Sequence, residues 1–242
     1  MQKLILGLFI LLTSVYVKAP MVENPPLVVL ELFTSQGCSS CPPADVLLEQ
    51  VKDVHNEQII ALSYHVDYWN YIGWQDPFSS KDFSNKQRQY ASKFNSSSIY
   101  TPQIVVNGKT HFVGSNKAKM RDHITSYTKE LPTNTVEISN LNTTGKRISF
   151  NYKVDGMLAN KSLNVLLTIN ERITQIKRGE NRNRTLKNAN IVVQTLYIAL
   201  NDTSGTASIT IPELVTETDK LSIVALVQSK NLDITGGVQK AL

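Results

Sequence analysis

Cysteine occurs twice in this chain, as Cys38-Ser39-Ser40-Cys41. An apolar run, Leu27-Val28-Val29-Leu30-Glu31-Leu32-Phe33, leads into the pair, and a helical pattern leaves it. A helix N-terminus offers unpaired N–H groups and partial positive charge, which favour thiolate over thiol. One sulfur placed to attack and a second placed to resolve a mixed disulfide is the chemistry this spacing allows. Cys38, first at the helix start, is the expected nucleophile and the more exposed thiol. Cys41, expected within the first turn, is the buried resolving partner. A bridge over so short a loop removes little chain entropy, so redox work is favoured over stapling. A plain structural disulfide is the alternative.

The elements that must position the pair follow from the flanking pattern. Residues 27–33 read as a strand covered on both faces. Gly37 permits the turn, and Pro42 and Pro43 suit a first helical turn, where a missing N–H costs little. The helix runs on through Ala44–Val51, and a second apolar strand spans Ile59–Val66. An aromatic loop, Asp67–Phe78, precedes a polar helix from about Ser79 to Phe94. Two strands meet at Asn107-Gly108, a strong hairpin signal because both residues tolerate positive φ. Ser115 to Glu130 reads as a closing helix, capped at Ser115 or Asn116.

Leu131-Pro132-Thr133-Asn134 reads as a linker, and helical patterns stop there. Val136–Ile138, Arg147–Val154, Ser162–Ile169, Ile191–Leu200, Ala207–Ile211 and Leu221–Gln228 are β-rich runs between polar turns, as in a small antiparallel sandwich. The expected organisation is an α/β domain over residues 20–130 and a β-rich domain over 131–242.

Residues 1–19 have the marks of a secretory signal peptide. Lys3 precedes the apolar Leu4–Leu12, too short to span a bilayer, and Val17-Lys18-Ala19 places small residues at the cleavage positions. An uncleaved anchor is the alternative, because Pro20 follows the expected cut directly. Export implies a secreted or periplasmic, oxidising setting. Removing Lys3 and Lys18 lowers the formal charge from +5 to +3. Basic residues are scattered except in Lys177-Arg178…Arg182…Arg184…Lys187, which reads as a solvated loop. Nucleic acid is an unsuitable partner without interleaved aromatics. No membrane contact is expected after cleavage, and the oligomeric state is left open.

The strand, the Cys-x-x-Cys at a helix start and the later Thr101-Pro102 before a hairpin resemble the thioredoxin superfamily. That resemblance implies a cis Pro102 beside the reactive cysteine, with Thr101 and Pro102 positioning the substrate. It also implies an α/β thioredoxin-like domain with a helical insertion, ahead of the all-β, sandwich-like C-terminal region that the strand runs suggest. A closer resemblance is to secreted bacterial proteins grouped as domain of unknown function 1223. It is carried by Glu31–Asp45, His65-Val66-Asp67-Tyr68-Trp69, Gly73–Phe78, Tyr100–Gly108 and Gly179–Leu186.

Four further residues are candidates near the pair. Glu31 interrupts an apolar strand; thioredoxins keep a buried carboxylate at a similar place for proton transfer at the resolving cysteine. A solvated edge position is the other reading. His65 ends the second strand at the same sheet edge as the cysteines, as a modulator of Cys38, a third metal ligand, or a merely hydrogen-bonded ring. Asp67 and Trp69 alternate into the same groove. The leading reading is an extracytoplasmic thiol-disulfide oxidoreductase acting on protein or small-molecule thiols and disulfides, without cofactor or metal. Its alternatives are a copper(I) chaperone using Cys38, Cys41 and His65, and a binding module that keeps the scaffold with a locked disulfide.

Overall fold

The computed structural model describes residues 27–54 and 58–242. The signal peptide expected at residues 1–19 lies outside the described residues. Strand β1 (Val28–Thr34) is buried at every position, as its unbroken apolar run requires. It pairs in parallel with β2 (Ile59–His65) and antiparallel with β3 (Gln103–Val106). Strand β4 (Thr110–Val113) folds back on β3 through Asn107 and Gly108, both at positive φ.

Three helices cover this part of the sheet. Helix α1 (Pro42–Val54) and α3 (Lys117–Tyr127) pack on one face against Val28, Leu30, Leu32, Ile59 and Ala61. Helix α2 (Lys81–Lys93) packs on the other against Val29, Phe33, Leu62 and Tyr64. Burying each Val, Leu, Ile or Phe side chain among these contributes roughly 1.5–3 kcal/mol. Ser80 caps α2 by accepting from the Asp82 N–H, and Asn116 caps α3 by accepting from Lys119.

Beyond α3 every named element is a strand: β5 (Asn134–Thr144), β6 (Arg147–Gly156), β7 (Lys161–Gln175), β8 (Thr185–Ala199), β9 (Ser204–Thr210), β10 (Leu221–Ser229) and β11 (Ile234–Ala241). The sheet of eight runs β11-β10-β7-β8-β2-β1-β3-β4, and β5-β6-β9 form a second sheet. The two pack face to face through Ile138, Ile148, Phe150 and Val154 against Val165, Leu167, Ile223 and Ala225. Chain from both halves therefore shares one sheet, joined where Ser63 on β2 pairs with Ile191 on β8.

Strands β7 and β8 run 15 residues each, well past the expected Ser162–Ile169 and Ile191–Leu200. Pairing with β10 ends at Ile169, while β7 and β8 continue together to Gln175 and Thr185. The hairpin leaves the sheet as a two-stranded arm. On β7 exposed residues such as Glu171 alternate with half-buried ones such as Arg172, and Lys187 is exposed on β8, so no apolar run betrays a strand there.

Candidate functional site

The two cysteines form a disulfide, Cα atoms 5.5 Å apart, at the start of α1. Cys41 stands just outside the helix, and its carbonyl accepts the Asp45 N–H, the first intrahelical bond, at 3.2 Å. Pro42 then occupies the first helical position, where a proline's missing donor is no loss. The Cys38 N–H donates to Ser35 O at 3.1 Å, and its sulfur lies 3.4 Å from the Ser40 hydroxyl. Ser39 and Ser40 are exposed, yet both cysteines are 0% exposed. Cys38 is thus no more exposed than Cys41, contrary to expectation.

The cover is the tip of the β7–β8 arm. Asn181, fully buried, donates from one side-chain nitrogen to Gln36 O and to Cys38 O, each at 2.9 Å. Its oxygen accepts from Arg184 at 3.0 Å. Glu180 accepts the Ser39 N–H at 3.1 Å. Gly179, at φ +75°, lies so close to Trp74 that a Cβ there would sit 3.2 Å from the tryptophan Cβ. Gln36 ties the layers together: its side chain donates to Asn188 and accepts from Trp74. Its N–H donates to Asp76 at 2.8 Å.

Behind the disulfide lies a buried polar cluster. Thr34 and His65 are register partners at the ends of β1 and β2 and share the face covered by α1. Asp45 projects from the buried side of α1 and accepts from the Thr34 hydroxyl at 3.3 Å, while its Oδ1 has no partner. Burial pushes the Asp45 carboxyl up to about 7; the charge of His65 and the Thr34 bond offset only part of this. His65 Nδ1 sits 2.7 Å from Asp76 Oδ2, its Nε2 has no partner, and its ring packs edge-on to Phe78. Burial pulls the imidazole pKa down, but the charge and hydrogen bond of Asp76, with the charge of Asp45, hold it above the ordinary value. Burial likewise pushes Asp76 up, yet the imidazolium and the N–H groups of Gln36 and Phe78 keep it below the usual carboxylate range.

The remaining candidates divide. Trp69 Nε1 donates to the Thr101 hydroxyl at 2.7 Å, and the tryptophan Cβ lies against Gly37, so Trp69 spans from the cysteine loop to Thr101. The Thr101–Pro102 bond is cis. Pro102 meets α1 at Gly114, where an added Cβ would lie 3.4 Å from Pro102 Cβ and 3.2 Å from Ala44 Cβ. Cys38, Cys41, Thr101, Pro102, Trp69 and His65 are therefore gathered at one sheet edge. Asp67 is not: it binds Ser84 of α2 at the start of a 3₁₀ helix, Asp67–Ile72. Glu31 also lies elsewhere. Its side chain is on the α2 face, 3.0 Å from Lys86 Nζ and accepting from Tyr90. A strand's alternation puts it on the face of the sheet opposite α1, away from the side that carries Asp45.

Among the described residues no group of three or more His, Cys, Asp or Glu side chains is arranged to hold a metal ion. Asp76 holds His65 Nδ1 while Nε2 has no partner, and both sulfurs are joined in the disulfide, so the set Cys38, Cys41 and His65 offers open donors only once the pair is reduced. Sequence reasoning missed Asp45, Asp76, Gln36 and Asn181 as site residues. Asp45 left a signal: a lone acid on the face of α1 that also buries Ala44, Leu47 and Leu48.

A family model described as Protein of unknown function (DUF1223) matches residues 29–228. The chain belongs to the DUF1223 family. A crystal structure of an Agrobacterium tumefaciens protein is similar to this DUF1223 chain at 25% identity and TM-score 0.66, over 88% of this chain and 92% of that one. A domain of the outer membrane lipoprotein Omp28 from Porphyromonas gingivalis aligns at 14% identity and TM-score 0.28, over 46% of this chain and 95% of its own. OgpA from Akkermansia muciniphila aligns at 16% identity and TM-score 0.26, over 44% of this chain and 27% of its own. Neither of those two likenesses is deep enough to carry an argument. No curated protein matches the chain.

Proposed function

We propose that this DUF1223 chain is a thioredoxin-like thiol-disulfide exchange protein working outside the cytoplasm on protein or small-molecule thiols. The observation that carries the reading is the disulfide at the N-terminus of α1, with the Asp45 carboxyl, whose Oδ1 has no partner, in the same first turn. A partner thiolate attacks Cys38 Sγ; the bridge breaks and its electron pair leaves on Cys41 Sγ. Asp45, titrating near neutrality, supplies the proton that neutralises the Cys41 thiolate. A second partner thiolate then attacks the partner sulfur of the mixed disulfide, releasing oxidised partner and the Cys38 thiolate. The partner loses two electrons and the cysteine pair gains them. Thr101 and Pro102 position the partner, and the extracytoplasmic setting rests on the N-terminal sequence.

Equilibration of residues 20–242 with glutathione buffers tests this. A potential between about −120 and −270 mV places the pair among exchanging enzymes. Cys38→Ser should abolish exchange, and Cys41→Ser should accumulate the mixed disulfide. The zero exposure of both cysteines favours one second reading, a locked disulfide in a binding module. A potential below about −300 mV with slow exchange would support that instead.

A further inference from the structure

The arm tip that seals the disulfide is also the most basic stretch of the chain's second half, and the two facts belong together. Residues 177–184 carry Lys177, Arg178, Arg182 and Arg184, all exposed, against the single acid Glu180. Lys187, further down the arm, is already paired with Glu49 and Glu171. Among the described residues none of the four tip cations lies within ion-pair distance of a carboxylate. Of the carboxylates hydrogen-bonded to residues 34–41, Asp45 and Asp76 are buried, which leaves Glu180 as the exposed one, and it is held by the Ser39 N–H. Both cysteines are fully buried, and Asn181 and Glu180 bond the backbone of Cys38 and Ser39, so the tip stands beside the nucleophilic position that a reactant must reach.

From this juxtaposition we infer that the β7–β8 arm tip is the partner-selecting rim of the disulfide and that it favours anionic thiols and acidic partner segments. The inference rests on the exchange reading above and adds the substrate class. Four cations without an ion-pair partner, on the segment bonded to the cysteine loop, raise the local concentration of negative reactants and penalise positive ones. Lys177, Arg178 and Arg182 make no side-chain hydrogen bond among the described residues, so their charge is available to a partner. Arg184 has one nitrogen committed to Asn181 and the rest of its fork free for a carboxylate.

The test is the rate at which small thiols reduce the Cys38–Cys41 disulfide of residues 20–242, read by alkylation and mass. Three probes differ in their second group: 3-mercaptopropionate is anionic, 2-mercaptoethanol neutral and 2-mercaptoethylamine cationic. The attacking thiolate is negative in all three, so rates corrected for thiolate fraction isolate the added charge. At low salt the anionic thiol should lead the cationic one by about tenfold, and the lead should collapse at 1 M salt, where the screening length is about 3 Å. Arg178→Glu with Arg182→Glu should reverse the order; among the described residues these exposed side chains make no hydrogen bond or ion pair, and the salt series needs no variant at all. Equal corrected rates, or a lead untouched by salt and by charge reversal, overturn the rim while leaving exchange intact. Failure of every thiol to reduce the bridge overturns exchange itself, and the rim with it.

Discussion

The side-chain amide of Asn181 lies 2.9 Å from the carbonyl oxygen of Cys38, across 143 residues of sequence. That one contact makes a hairpin from the second half of the chain part of the disulfide's surroundings. Asn181→Ala removes two buried hydrogen bonds and leaves the Cys38 and Gln36 carbonyls without this donor, at about 1–3 kcal/mol. Because the lost bonds hold the cover shut, reduction of the bridge by dithiothreitol should quicken by about tenfold, equivalent to about 1.4 kcal/mol. An unchanged rate in a folded variant would mean that the cover opens independently of Asn181.

Asp45 makes stability depend on pH in a stated direction. Its folded pKa, about 7, stands above the unfolded value of 3.8. Below the lower value both states hold the proton. As pH rises from there, the unfolded chain releases it and the native state does not, so native stability falls until about pH 7 and then levels. A shift of that size amounts to about 4 kcal/mol. Asp45→Asn should flatten this part of the profile in urea denaturation between pH 4 and 8. The same substitution should remove the step near pH 7 from the exchange rate; a retained step would assign that proton to another group.

Glu31→Gln separates structure from chemistry. Lys86, half-buried beside it, loses its carboxylate partner, and Tyr90 loses its acceptor, so stability should fall by about 2–3 kcal/mol. Exchange rates of the folded variant should stay within about twofold of the parent, because Glu31 lies across the sheet from the cysteines. A much larger loss of rate would return Glu31 to the proton path.

Gly114 keeps Pro102 against α1. An added methyl would approach Leu32 Cδ1 to 2.8 Å and Ala44 Cβ to 3.2 Å. Leu32 can turn aside, but Ala44 and Pro102 have no rotamer to yield. Gly114→Ala should cost about 1–3 kcal/mol by overpacking and slow exchange by shifting Pro102 from the cysteine loop. Full stability in thermal unfolding would show that the corner has room.

Legibility differed sharply between residues for physical reasons. Cys38 and Cys41, the strand before them and the prolines after them act through neighbours in the chain, so spacing alone placed the pair at the start of α1. The apolar runs of β1, β2 and β3, the Asn107-Gly108 turn and the end of helical patterning near residue 131 were legible likewise, since periodicity reports burial. Alternation could not say which face of β1 the cysteine helix would cover, and that put Glu31 with α2 rather than with Cys41. Asp45, Asp76 and His65 became one cluster because β2, α1 and the loop before α2 converge on a single face, a convergence no local pattern encodes. The polar arm of β7 and β8 gave no strand signal, because its partners are each other and α1 instead of an apolar core. The sequence by itself determined the cysteine pair, its spacing and the elements that present it. Only tertiary structure decided what covers the sulfurs and which carboxyl stands behind them, because long-range packing sets burial and proximity.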